Sequence, residues 1–96
     1  MEGKKSDASK LDWTLVPFKA MEAVVRVLEF GAVKYGRENW KAVKEPMRRY
    51  RAAAYRHLNA INEGEWLDQE SGLPHAAHCV CCLLFMLWFG EGHDEA

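Results

Sequence analysis

The sequence predicts an all-α fold, a small helical bundle of three main helices completed by homo-oligomerisation. Three observations carry that expectation. Apolar residues recur at helical steps of three and four in two stretches, a third stretch is apolar on every side, and no alternating polar and apolar run marks a strand. With 96 residues, 49% of them apolar and four of them Trp, the chain has room for one domain and too much burial-ready surface for disorder. A domain of this size hides only about two thirds of the surface that its unfolded chain exposes, so a metal, a partner subunit or both are expected to complete it.

Residues 1–12 are polar, charged and without a period, which predicts a flexible arm, with Trp13 and Leu15 packing down at its end. Residues 13–90 form the helical domain, and residues 91–96 a polar tail. The first helix opens at Pro17, where a missing N–H is tolerated, and its inner stripe is Phe18, Met21, Val25, Leu28 and Ala32, widened by Val24 and Val27. Gly36 is its candidate left-handed cap. A second helix is expected from near Pro46 to about Asn62, with Met47, Tyr50, Ala54, Leu58 and Ile61 inward and Gly64 as its stop. His57, three residues after Ala54 and four before Ile61, shares that face. The third helix is expected from near Pro74 to Phe89; after Ala77 it is apolar all round, which calls for burial on all sides and so for self-association.

Charge narrows the function. Thirteen basic and fourteen acidic residues leave a net charge of −1, so the chain has no general basic coat for a nucleic-acid polymer. The longest apolar run, Cys79 to Phe89, is far short of the roughly 20 residues that span a bilayer, and Met1 is followed by polar residues rather than a secretory core. A cytoplasmic protein is expected, with Cys79, Cys81 and Cys82 as reduced core thiols.

The charges nevertheless cluster. Lys34, Arg37, Lys41, Lys44, Arg48, Arg49, Arg51 and Arg56 face only Glu38 and Glu45 in their stretch, whereas Glu63, Glu65, Asp68 and Glu70 form an acidic run without a base. A basic stretch beside a metal-capable acidic one suits polyphosphate chemistry, in which cations and basic groups together hold phosphate oxygens. Lys34 and Arg56, with His57 beside it, are the phosphate candidates, and the other arginines read as a solvated helix face. Tyr35 and Trp40 offer rings for stacking a base, with Asn39 to read its edge; the same two aromatics also read as hydrophobic plugs.

Glu65, Asp68, Glu70, His75 and His78 have the composition of a metal site, with the Ser71–Pro74 link bringing carboxylates and imidazoles together. Carboxylates suit magnesium or manganese, and the imidazoles shift the preference toward manganese, cobalt, iron or zinc. The alternative is that the carboxylates cap the third helix and the histidines only hydrogen-bond there. His75, His78, Cys79 and Cys82 do not read as a zinc site, because they span about 10 Å along one helix. No phosphate-binding glycine loop or Ser-His-Asp pattern is present, and His93-Asp94 in the polar tail is poorly placed for a metal site.

Lys10-Leu11-Asp12-Trp13 with Leu15 and Pro17, then Phe30-Gly31-Ala32, Lys34-Tyr35-Gly36 and Asn39-Trp40, then Arg56-His57-Leu58, Gly64-Glu65, Asp68, Glu70-Ser71-Gly72-Leu73-Pro74-His75 and His78 form one series. In it the chain resembles the phage-associated dATP/dGTP diphosphohydrolase domain family, from Lys10 to Phe89. That family is similar to the all-α nucleotide pyrophosphatases of the MazG type, helical oligomers that use magnesium to cut between the α and β phosphates. Those enzymes carry an ExxE and a later ExxD motif; here Glu65-Trp66-Leu67-Asp68 is a partial counterpart, and His75-Ala76-Ala77-His78 stands where the later pair is expected.

The resemblance implies a metal-dependent pyrophosphohydrolase of purine (deoxy)nucleoside triphosphates, of phage origin and working in the host cytoplasm. Glu65, Asp68 and Glu70 would be catalytic; Glu65, Asp68, Glu70, His75 and His78 would hold the divalent ion; Lys34, Tyr35, Asn39, Trp40, Arg56 and His57 would hold the nucleotide. A rival reading is a non-catalytic binder on the same scaffold that sequesters a nucleotide immune signal. A third is a purely structural module.

Overall fold

Proline and glycine punctuate the chain at the expected places. The computed structural model describes Gly3 and residues 8–92; most of the proposed arm before residue 8 and the tail from 93 onward, with His93 and Asp94, lie outside the described residues. A 3₁₀ turn, Trp13–Leu15, opens on Asp12, whose carboxylate accepts the Thr14 N–H at 3.1 Å. Trp13 and Leu15 are exposed rather than packed down.

Helix α1, Phe18–Tyr35, begins directly after Pro17 and ends at Gly36, whose N–H donates to the Ala32 carbonyl at 2.9 Å. Gly36 has φ 103° and ψ 147°, a region open essentially to glycine alone, instead of the left-handed helical cap anticipated. The chain leaves the helix extended and re-forms a 3₁₀ turn at Asn39–Ala42. Helix α2 is Pro46–Asn62, closed by Glu63 and by Gly64 at φ 93°. Helix α3 is His75–Gly90. Among the described residues there is no strand, only one antiparallel bridge between Leu67 and Pro74. No helix there is long and apolar enough to cross a membrane.

Helix α3 is the central element. It packs along α2 in a long seam and against α1 in a shorter one, while α1 and α2 barely meet. The core is correspondingly thin: Val24 and Val27 of α1 meet Ala77 and Cys81 of α3, ringed by Met21, Ala23, Leu73 and Phe85. The expected centre of the α1 stripe is therefore rotated. Val25 and Leu28 are 48% and 37% exposed, because a single neighbour covers only a narrow strip around Val24 and Val27. Likewise α3, apolar all round, buries Ala77, Cys81 and Cys82 and leaves Val80, Leu83, Leu84 and Leu87 exposed.

Two further contacts fix the loops. Trp40 lies flat on Phe85 (4.6 Å, 11°) and edge-on to Trp88 and Phe89, and its carbonyl accepts the Tyr50 hydroxyl at 2.8 Å. This aromatic group ties the 36–45 connection to both α2 and α3. Burial pushes the Tyr50 phenol up to about 12. The Cys81 thiol, which donates to the Val24 carbonyl at 3.5 Å, is pushed up to about 12, and that of Cys82 to about 11, again by burial. All three cysteines are free thiols.

Candidate functional site

Because α1 and α2 stand apart on α3, a cleft of about 820 Å³ opens between them. His78, Cys81, Cys82 and Phe85, at helical spacing along α3, form its floor. Lys34, Tyr35, Asn39, Trp40, Arg56 and His57 all line this one cavity, as do Asp68 and Glu70. Glu65 and His75 lie behind the lining and touch it through His57 and Asp68.

The loop between α2 and α3 holds the acidic residues by backbone geometry. Asp68 Oδ1 accepts the N–H groups of Glu70 and Ser71, both at 2.9 Å, an Asx turn that fixes its carboxylate. The Asp68 N–H donates to Leu73 O at 2.8 Å and the His75 N–H to Trp66 O at 2.9 Å, so the loop closes on itself just as α3 begins. Burial raises the Asp68 carboxyl, but the Ser71 N–H, His78, the Ser71 hydroxyl and the Glu70 N–H together outweigh it and hold it below its ordinary value. None of these carboxylates caps α3, whose first turn carries no acidic residue and no side-chain cap.

Three imidazoles converge from two helices. His57 Nδ1 and His75 Nδ1 are 2.8 Å apart, His75 Nε2 is 2.7 Å from Glu65 Oε1, and His78 Nε2 is 2.7 Å from Ser71 Oγ. The His57 and His78 rings stack at 4.6 Å, nearly parallel. His75 is 5% exposed, and every buried polar side-chain atom among the described residues has a partner. Burial, joined by repulsion from His78 and His75, pulls His57 below its ordinary value; burial likewise lowers His78, against the pull of Asp68. The hydrogen bonds from His75 and from the Gln69 amide lower the Glu65 carboxyl.

The site residues read from the sequence therefore separate into two groups. His57, Asp68 and His75 each bring one donor atom to within 4.8 Å of the others, a spacing and chemistry that fit a divalent cation. Glu70, only two residues from Asp68 and lining the same cleft, pairs with Lys34 of α1, an ion pair that raises the lysine. Lys34 Nζ also lies 5.0 Å from the centroid of the exposed Tyr35 ring. Trp40 has one face covered by Phe85, as a plug would, whereas Tyr35 is open. Sequence periodicity placed His57 inward without its partners, and Ser71, which fixes His78, was missed. The signal for it was the Asp68-to-Ser71 spacing of an Asx turn.

Comparison with known proteins adds family membership. All of residues 1–96 match the family described as "dATP/dGTP diphosphohydrolase, N-terminal". Over 88 residues the chain is 39% identical to a protein of Salmonella phage PMBT28 named "dATP/dGTP diphosphohydrolase", a match that covers 92% of this chain. It spans 30% of that relative's length. No solved structure matches. On the full-length match and on this identity, the chain belongs to the dATP/dGTP diphosphohydrolase N-terminal family.

Proposed function

We propose that this domain binds a purine deoxynucleoside triphosphate in the cleft and, with a divalent cation at the acidic end, hydrolyses it to the nucleoside monophosphate and pyrophosphate. The observation that supports this reading above others is that the cations Lys34 and Arg56 and the groups Asp68, Glu70, His57 and His78 line one cavity. The relative's name supports the substrate class.

In this reading Lys34 and Arg56 hold phosphate oxygens, the exposed Tyr35 ring carries the base, Asn39 reads its edge, and Trp40 closes the end of the cleft. Asp68 helps hold the cation, and Glu70, released by Lys34, orients the attacking water and accepts its proton. Glu65 acts one step back, through His75. A bound divalent cation supplies neutralisation of the phosphate charge and a lowered pKa for the water. The apolar faces left open on α1 and α3 support homo-oligomer formation as part of the same reading.

The test is a panel of nucleoside triphosphates with several divalent metals and product analysis. Purine deoxynucleotides are expected to give monophosphate and pyrophosphate, and Asp68→Asn or Glu70→Gln to lose turnover while nucleotide still binds. A nucleotide held tightly and returned intact with every metal would replace hydrolysis with sequestration. A single 11 kDa species in sedimentation at micromolar concentration would remove the oligomer.

A further inference from the structure

We infer that His57, His75 and Asp68 form a transition-metal site in which Glu65 is an orienting residue rather than a ligand. This deepens the cation part of the proposed function and rests on that part alone; it stands whether or not a nucleotide is cut.

The argument begins with proton bookkeeping on the rings. His75 Nε2 faces the Glu65 carboxylate at 2.7 Å, so that nitrogen carries the proton and Nδ1 of the neutral ring is left with its lone pair. A carboxylate behind a histidine is the arrangement that fixes the tautomer and raises the basicity of a metal-binding imidazole. His75 Nδ1 points at His57 Nδ1, 2.8 Å away. In the neutral pair, His57 supplies the single hydrogen of that contact. Two nitrogens bound to one ion at about 2.0–2.1 Å sit about 3.0–3.4 Å apart, so a metal replaces that hydrogen with a widening of only a few tenths of an ångström. His57 yields its Nδ1 position to the metal and, exchanging its proton through water, takes the tautomer with that one proton on Nε2.

The third donor is already held. Asp68 is fixed by the two backbone N–H groups on Oδ1, and its carboxylate has lone pairs beyond those two bonds. The site also has an entrance, since His57 and Asp68 line the cleft, with the buried His75 behind them. His78 is excluded from the set because its Nε2 is engaged by Ser71; stacked on His57, it holds that ring in place. Two imidazoles and one carboxylate form a borderline donor set. It favours zinc, cobalt, iron or manganese over magnesium, which prefers oxygen ligands and keeps its waters.

The experiment is titration of the metal-free 96-residue chain, without nucleotide, by calorimetry with zinc, cobalt and magnesium, and by imidazole ¹⁵N spectra with zinc. One zinc or cobalt per chain is expected, tighter than magnesium by on the order of 100-fold. The His57 and His75 Nδ1 resonances should move to metal-bound positions while His78 Nε2 stays. Glu65→Gln should weaken zinc by about 10–100-fold without changing the stoichiometry. The ring spectra use the unaltered chain, so they decide the matter even if His57→Ala unfolds. Equal zinc and magnesium affinities, unshifted His57 and His75 nitrogens, or a thiolate charge-transfer band in the cobalt spectrum would overturn the inference. Loss of zinc binding with magnesium-dependent hydrolysis intact would overturn it while leaving the hydrolase reading in place.

Discussion

Truncation of Phe85 to Ala is the most informative perturbation of the scaffold, because this ring joins all three parts of the aromatic group. It stacks on Trp40 at 4.6 Å, tilts against Tyr50 at 5.0 Å and packs on the core cluster. Removing a fully buried Phe costs about 3–5 kcal/mol. Phe85 is half-buried at the cleft floor, so the expected loss is about 2–3 kcal/mol, of which the Trp40 stack accounts for about 0.5–1.5 kcal/mol. Against a total of about 5–15 kcal/mol for a folded domain, that is a large share. Urea unfolding followed by helical circular dichroism at fixed protein concentration measures it. A cycle of Phe85→Ala, Trp40→Ala and the double variant isolates the stack. A coupling near zero would refute the claim that this pair anchors the 36–45 connection, even if each single variant were destabilised.

Three other outcomes follow from the same geometry. Tyr50 keeps its proton to about pH 12 in the folded chain and to about pH 10 unfolded; its contribution is therefore intact below pH 10 and lost as pH rises through that window. An alkaline denaturation series should show the decline, and Tyr50→Phe should make it shallower, the remainder belonging to the Cys81 and Cys82 thiols. Burial keeps the Cys81 and Cys82 thiols protonated at neutral pH, so alkylation of both should wait for unfolding, as mass spectrometry of labelled peptides would reveal. Gly64→Ala meets no atom within 4 Å but must adopt φ 93°, so it should cost on the order of 1–2 kcal/mol by thermal or urea unfolding with no change at the cleft.

Helix positions were legible because they depend on local signals. Pro46 and Gly64 bracket α2, and Pro74 sets the start of α3, each through an N–H or φ requirement that the residue itself carries. Which way a helix faces was less legible. Periodicity gave α1 a broad stripe, but the narrow contact with α3 selected Val24 and Val27 and left Val25 and Leu28 in the open. The sequence offers candidate site residues but not the space that they share. Lys34, Arg56 and Asp68 belong to three separate segments, and only the packing of α1 and α2 on adjoining faces of α3 brings them to one space. The meeting of His57 with His75, eighteen residues apart, depends on the register between α2 and α3, which no spacing within either helix encodes. Asp68 and Glu70 show the converse. Neighbours in sequence, they take different partners, since the Asx turn claims the first and Lys34 the second.

The Lys34–Glu70 pair has a mechanical meaning beyond its charge. Since α1 and α2 scarcely touch, this pair is a latch across the cleft, from α1 to the loop between α2 and α3. In the proposed reading, a phosphate that draws Lys34 away would open the latch in the same event that captures the anion. The small energy of that exposed pair would then be subtracted from the affinity of the cleft for the anion. Salt, by weakening that pair in the empty chain, loosens the latch while it also screens the incoming anion.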